Sequence, residues 1–162
     1  MDYKREVIVI EDMRPMSVNG MTVNGQAGRG RYASEAAKDW TREMFHKLDT
    51  ESTLRSLKNI RDMFIPKKHQ IKVEIKAEYP YSEFVAKTTG CISGKTIDCT
   101  NFEKPIVDLL FLPKYYDLMP PYGIKNLNLD DKYIVRCAGE KRLSKDQAHR
   151  LIIEIKVEPR TF

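Results

Sequence analysis

The sequence predicts an α/β (α+β) domain in which a small mixed β-sheet is packed by helices. Two observations carry this. Apolar and charged residues alternate over residues 71–77 and again over 153–158, the pattern of strands with one buried face. The segments also run strand, helix, strand, helix, strand, strand, which puts a few strands in one sheet with helices laid against it. The 162 residues fit one domain, 1–162, with enough surface to bury a core without staples.

Val7-Ile8-Val9-Ile10 is a short apolar run closed by Glu11-Asp12 and Pro15, and reads as the first strand. Residues 14–33 carry four glycines and few large apolar groups, so a long loop is expected there. Ser34 is placed to cap a helix in which Trp40, Met44 and Leu48 recur every four residues, an apolar stripe suited to packing on a sheet. Ile60, Met63 and Phe64 close a second, short helical segment before Pro66. Ile71, Val73, Ile75 and Ala77 share one face of the clearest strand. Residues 88–100 are polar and punctuated by glycine, a loop. From Asn101 the spacing of Phe102, Ile106, Leu109 and Leu110 predicts a helix. Pro105 is expected near its first turn, where a missing amide donor costs little. Residues 113–129 form a connection of undefined shape, and 134–135 and 151–157 read as the last strands. The two open edges of so small a sheet make a dimer one way to cover them.

Composition excludes more than it selects. No stretch approaches a membrane-spanning run, and Met1-Asp2-Tyr3-Lys4-Arg5 does not open a secretory signal. Cys91, Cys99 and Cys137 are odd in number with no CxxC, pointing to a reducing compartment and away from a cysteine zinc site. The expected setting is cytoplasmic. His46, His69 and His149 lack zinc-like spacing. Gly90 to Thr96 ends in Gly-Lys-Thr without the spacing of a phosphate loop. The net charge of +5, from 28 basic and 23 acidic residues, is small. Its placement is more telling: Arg29 and Arg31 sit in the glycine-rich stretch, and Lys87 and Lys95 precede an acidic run. Basic groups on loops near carboxylates suit a phosphate-backbone ligand.

That run is Asp98-Cys99-Thr100-Asn101-Phe102-Glu103-Lys104, followed by Asp108 and, downstream, Asp130-Asp131. Carboxylates of this kind hold hard divalent cations, and phosphodiester hydrolysis needs both charge neutralisation and a deprotonated water. Lys104 stands one turn from Asp108, which can pair with it, and its amine can reach a pocket at the helix mouth. On spacing alone the same residues read more simply as a helix cap at Asp98 and Asn101, a surface pair at Lys104 and Asp108, and a turn at Asp130-Asp131.

Three blocks together resemble the RusA family of Holliday-junction resolvases, small phage-associated endonucleases. They are Arg14-Pro15-Met16-Ser17-Val18-Asn19 after the first strand, Tyr32 to Trp40 opening the first helix, and the run from Ile97 to Leu110 followed by Leu129-Asp130-Asp131-Lys132-Tyr133-Ile134. The resemblance spans roughly residues 7 to 157. It implies a homodimer that binds four-way DNA junctions and makes paired nicks with Mg2+ or Mn2+, in a bacterial or phage-infected cell. It assigns Asp98 and Asp131 as metal ligands, with Asp130 beside them, and Lys104 as the lysine of the catalytic pocket. Asn101 and Asp108 support them, and Arg29, Arg31, Lys87 and Lys95 are DNA-contact candidates by position. One position departs: Thr100 stands where the family has an aspartate. Either Asp130, Glu103 or Glu78 takes its part, or the site works poorly, or the chain is a junction-binding homologue that does not cut.

Overall fold

The structure, a computed structural model, describes residues 3–24, 31–112 and 126–162, with the backbone alone at 23–24 and 31–32. Its centre is a four-stranded mixed sheet. Strand β1 (Lys4–Glu11) lies at one edge, beside β6 (Arg150–Pro159), then β4 (His69–Tyr79), then β5 (Ile134–Leu143) at the other edge. The pairs β1–β6 and β6–β4 are antiparallel, whereas β4 and β5 run parallel. A parallel pair cannot be closed by a tight turn and needs a crossover. Here the crossover carries α3 (Tyr81–Phe84) and α4 (Cys99–Phe111), which brings α4 onto β5.

The expected alternation holds and extends. Ile71, Val73, Ile75 and Ala77 of β4 and Leu151, Ile153, Ile155 and Val157 of β6 are all nearly or fully buried. They meet Trp40, Met44, Leu48, Leu57, Ile60, Phe102, Ile106 and Leu110 from the helices in one core. The opposite face of the sheet carries charge and, among the described residues, no helix, with Lys72 on Glu158 at 2.6 Å, Lys156 on Glu154 at 2.9 Å and Arg150 on Glu78 at 2.7 Å. Such partly exposed pairs add little stability each. They make that face of the sheet polar.

Helix α1 (Glu35–Leu48) starts where the sequence places it. Ser34 Oγ accepts from Ala37 N at 3.0 Å and donates to Gly20 O, tying the helix to the segment before it. Ser34→Ala is therefore expected to cost about 1–2 kcal/mol, read as a shift in the urea unfolding midpoint. Helix α2 (Glu51–Met63) is longer than the short segment expected, because Thr50 caps it and Leu54, Leu57 and Ile60 extend its apolar stripe N-terminally.

Two expectations need correcting. Residues 14–33 are not one loop. They include a 3-10 turn (Val18–Gly20) and a two-stranded hairpin of β2 (Thr22–Asn24) and β3 (Arg31–Ala33). Three-residue strands are too short to leave a periodic pattern. Helix α4 begins at Cys99, two residues before the expected start, so Pro105 lies inside it and not in its first turn. Proline there removes the amide that would bond the Asn101 carbonyl. Burial of Pro105 beside Phe102, Ile106 and Leu109 offsets that loss. Among the described residues no helix is long and apolar enough to cross a membrane.

Candidate functional site

The first two turns of α4 and the turn leading into β5 build the site. Asp98 is the N-cap of α4, yet its side chain makes no capping hydrogen bond. A helix advances about 100° per residue, so Thr100, Glu103, Lys104, Val107 and Asp108 follow one stripe of α4, with Asn101 at its edge and Asp98 beyond it. The stripe faces a cleft of about 290 Å3, which is completed by Asp131, Ile134 and Cys137. Asp98 and Asn101 line a second cleft, of about 490 Å3, with Ser17, Thr96 and Lys141. The structure thus brings Lys104, Asp108 and Asp131 together and puts Asp98 on the other side of the helix end.

Lys104 Nζ donates to Asp108 Oδ1 at 3.0 Å, the i,i+4 pair that the spacing suggested. The ammonium is 61% exposed and the carboxylate 17%, so Asp108 holds a cation whose head remains in water. Asp131 opens a 3-10 turn (Asp131–Tyr133) immediately before β5 and is exposed. Its neighbour Asp130 is differently engaged. Oδ1 accepts from Lys132 N at 2.9 Å and Oδ2 lies 3.6 Å from Lys132 Nζ. That backbone hydrogen bond, helped by the lysine charge, holds the Asp130 carboxyl below its usual range. Asp130 therefore shapes the turn and does not line the cleft.

Of the acids that the resemblance offers in place of an aspartate at position 100, the fold separates three cases. Asp130 caps its turn. Glu78 lies on the charged sheet face, 2.7 Å from Arg150 and 3.5 Å from Arg142. Glu103 alone of the three lines the cleft with Thr100 and Asp131. It packs where β5 has Gly139: a Cβ at that position would stand 2.8 Å from Glu103 Oε1 and 3.0 Å from the Cys99 carbonyl. Glycine therefore permits the close approach of α4 to β5 that sets the depth of the cleft. Desolvation by its neighbours, with the Glu103 carboxylate beside it, pushes the thiol of the otherwise exposed Cys137 up to about 11. Cys91 and Cys99 are also free thiols.

Among the described residues, no three His, Cys, Asp or Glu side chains converge as a ready-made metal cage. Magnesium does not require one: it is commonly held by one or two carboxylates, with waters and substrate phosphates completing the shell. Asp131, Glu103 and the Thr100 hydroxyl are hard oxygen donors on one cleft. They fit an ion shared with a bound phosphate.

Of the DNA-contact candidates, Lys87 and Lys95 are exposed. Arg29 lies outside the described residues, and of Arg31 only the backbone in β3 is described. Sequence reasoning missed Lys141. It sits in a run of three charged residues, Glu140-Lys141-Arg142, and no spacing separates it from its neighbours. Its position follows from the parallel pairing of β5 with β4. The Gly94-Lys95-Thr96 segment is part of the loop before α4 and wraps the second cleft, with Thr96 buried. Comparison with known proteins finds no family model that matches the chain and no curated protein similar to it.

Proposed function

We propose that this chain is a metal-dependent endonuclease that hydrolyses phosphodiester bonds in branched DNA, a resolvase-type enzyme for four-way junctions. The observation that supports the reading is the cleft in which Lys104 and Asp108 of α4 stand with Asp131 of the turn before β5. A lysine and carboxylates on a parallel-strand crossover give a phosphate both a cation and the oxygen ligands for Mg2+ or Mn2+. Asp131 and Glu103 are the carboxylates to hold the ion, with the Thr100 hydroxyl as a neutral donor. Once bound, it would supply Lewis-acid neutralisation of the phosphate oxygens and a water acidified for attack.

The chain's own residues do the rest. Asp108 holds the Lys104 ammonium at the cleft, so that it meets a nonbridging phosphate oxygen without a search through rotamers. Asp130 fixes the turn that presents Asp131. A homodimer belongs to this proposal, since four-way junctions have two-fold symmetry and paired nicks need two sites. By the resemblance to phage-associated resolvases, this activity belongs in the cytoplasm of a bacterial or phage-infected cell.

The second reading is a homologue that binds junctions and cuts weakly or not at all. It is favoured by two observations: Thr100 brings no charge, and Asp98 lines a different cleft from Asp131. A nicking assay on synthetic four-way junctions with Mg2+ or Mn2+ decides between them. The enzyme reading expects cleavage that falls at least ~100-fold in Asp131→Asn with junction binding kept. Absence of nicking by the natural chain at saturating binding would establish the second reading.

A further inference from the structure

The second cleft holds a cation that the proposed reaction does not use. Lys141 lies in β5, and its side chain is 20% exposed. Its Nζ donates to Thr96 Oγ1 at 2.9 Å. The Thr96 hydroxyl in turn donates to the Ser93 carbonyl at 2.9 Å, so its oxygen is a fixed acceptor that aims the ammonium. Asp98 Oδ1 stands 4.0 Å away, beyond hydrogen-bond reach. An ammonium has three donors, of which Thr96 takes one and Asp98 none. Ser17 and Asn101 line the same cleft of about 490 Å3 and add a hydroxyl and an amide, both neutral donors.

A lysine ammonium held by a hydroxyl, with neutral donors beside it, suits an oxyanion with several oxygens, although the Asp98 carboxylate shares the cleft. Asp98 competes for the ammonium from 4.0 Å, but its side chain is 77% exposed, so solvent screens that attraction. We propose that this cleft is a phosphate subsite in which Lys141, aimed by Thr96 and joined by Ser17 and Asn101, holds a phosphodiester of a nucleic-acid backbone. It rests on the nucleic-acid reading above, and it adds a contact on the side of α4 away from Asp131. The bound strand then passes across the start of α4, with one phosphate on each side.

The test uses the full chain with a short single-stranded oligonucleotide and, separately, inorganic phosphate, read by amide chemical shifts. The oligonucleotide is expected to shift the Ser93, Thr96 and Asn101 amides saturably, with affinity about tenfold weaker in Lys141→Gln and kept in Lys141→Arg. For junction DNA, the slope of log affinity against log salt is expected to shrink by about one in Lys141→Gln. Three results overturn the proposal: no shifts at these amides in the natural chain, shifts unchanged in Lys141→Gln, or shifts from inorganic phosphate that the oligonucleotide does not reproduce. Should Lys141→Gln disturb the fold, Thr96→Val decides, since it keeps the charge and removes only the aiming acceptor; undiminished oligonucleotide affinity in that variant overturns the proposal. Nicking lost in Asp131→Asn alongside an unaltered Lys141→Gln would remove this subsite and leave the endonuclease reading standing. Junction binding absent from the natural chain would remove both.

Discussion

Thr100→Asp is expected to raise Mg2+-dependent nicking of four-way junctions by ~100-fold or more over the natural chain. The position is well placed for such a gain. Thr100 lines the cleft with Asp131, Glu103 and Lys104, on the exposed side of α4's first turn. A carboxylate there adds a full charge and two oxygens where the hydroxyl offers one neutral donor. Placed in the first turn of a helix, it also gains from the helix dipole. The gain should appear in Mg2+ affinity as well as in rate, so a titration of nicking against Mg2+ concentration separates the two. An unchanged rate would mean that Glu103 already completes the ligand set. Glu103→Gln alone would then lower nicking, and Thr100→Asp added to it would return activity to the level of the natural chain.

The second large effect is on stability. Asn126→Ala is expected to destabilise the fold by about 3 kcal/mol, since buried carbonyls left without partners cost about 1–3 kcal/mol each. In a domain of this size that lowers Tm by roughly 6–12 °C in a calorimetric scan. Asn126 is fully buried. Its Nδ2 donates to the Leu109 and Leu112 carbonyls at 3.2 and 2.8 Å, closing the C-terminal end of α4, and its Oδ1 accepts from Asn128 N at 3.0 Å. One side chain thus caps a helix and directs the chain toward Asp130 and Asp131. Arg61 of α2 donates to the Asn126 carbonyl at 3.2 Å, so the same residue also joins two helices. Asn126→Asp, isosteric but without the amide donors, should lose nearly as much, which separates the hydrogen bonds from simple volume.

How legible the molecule is from its sequence varies with the length over which a pattern repeats. Residues 71–77 alternate over several positions and give β4 directly; Trp40, Met44 and Leu48 give α1. Ser34 is legible as a cap because a hydroxyl before an apolar-periodic run has one common use. The hairpin of β2 and β3 and the single turn of α3 are too short to register. The expected position of Pro105 fails for a different reason. Local preference places proline in a first turn, but burial of its ring in the core outweighs one lost backbone hydrogen bond.

For the candidate site the division is sharper. Asp98 at a helix mouth, the Lys104–Asp108 pair and Asp130-Asp131 in a turn before a strand are all local facts, readable from spacing, and all three hold. Which of these groups share a cleft is not local. It depends on β5 lying parallel to β4 and on Gly139 letting α4 close against it. By that arrangement Asp131 joins the stripe of Thr100, Glu103, Lys104 and Asp108, while Lys141 joins Asp98 on the other side of the helix. The sequence by itself therefore determined the types of the longer elements, their buried faces and the chemistry available at the start of α4. Only the tertiary structure decided which carboxylates and lysines meet, because strand pairing and helix approach are set by contacts between residues far apart in the chain.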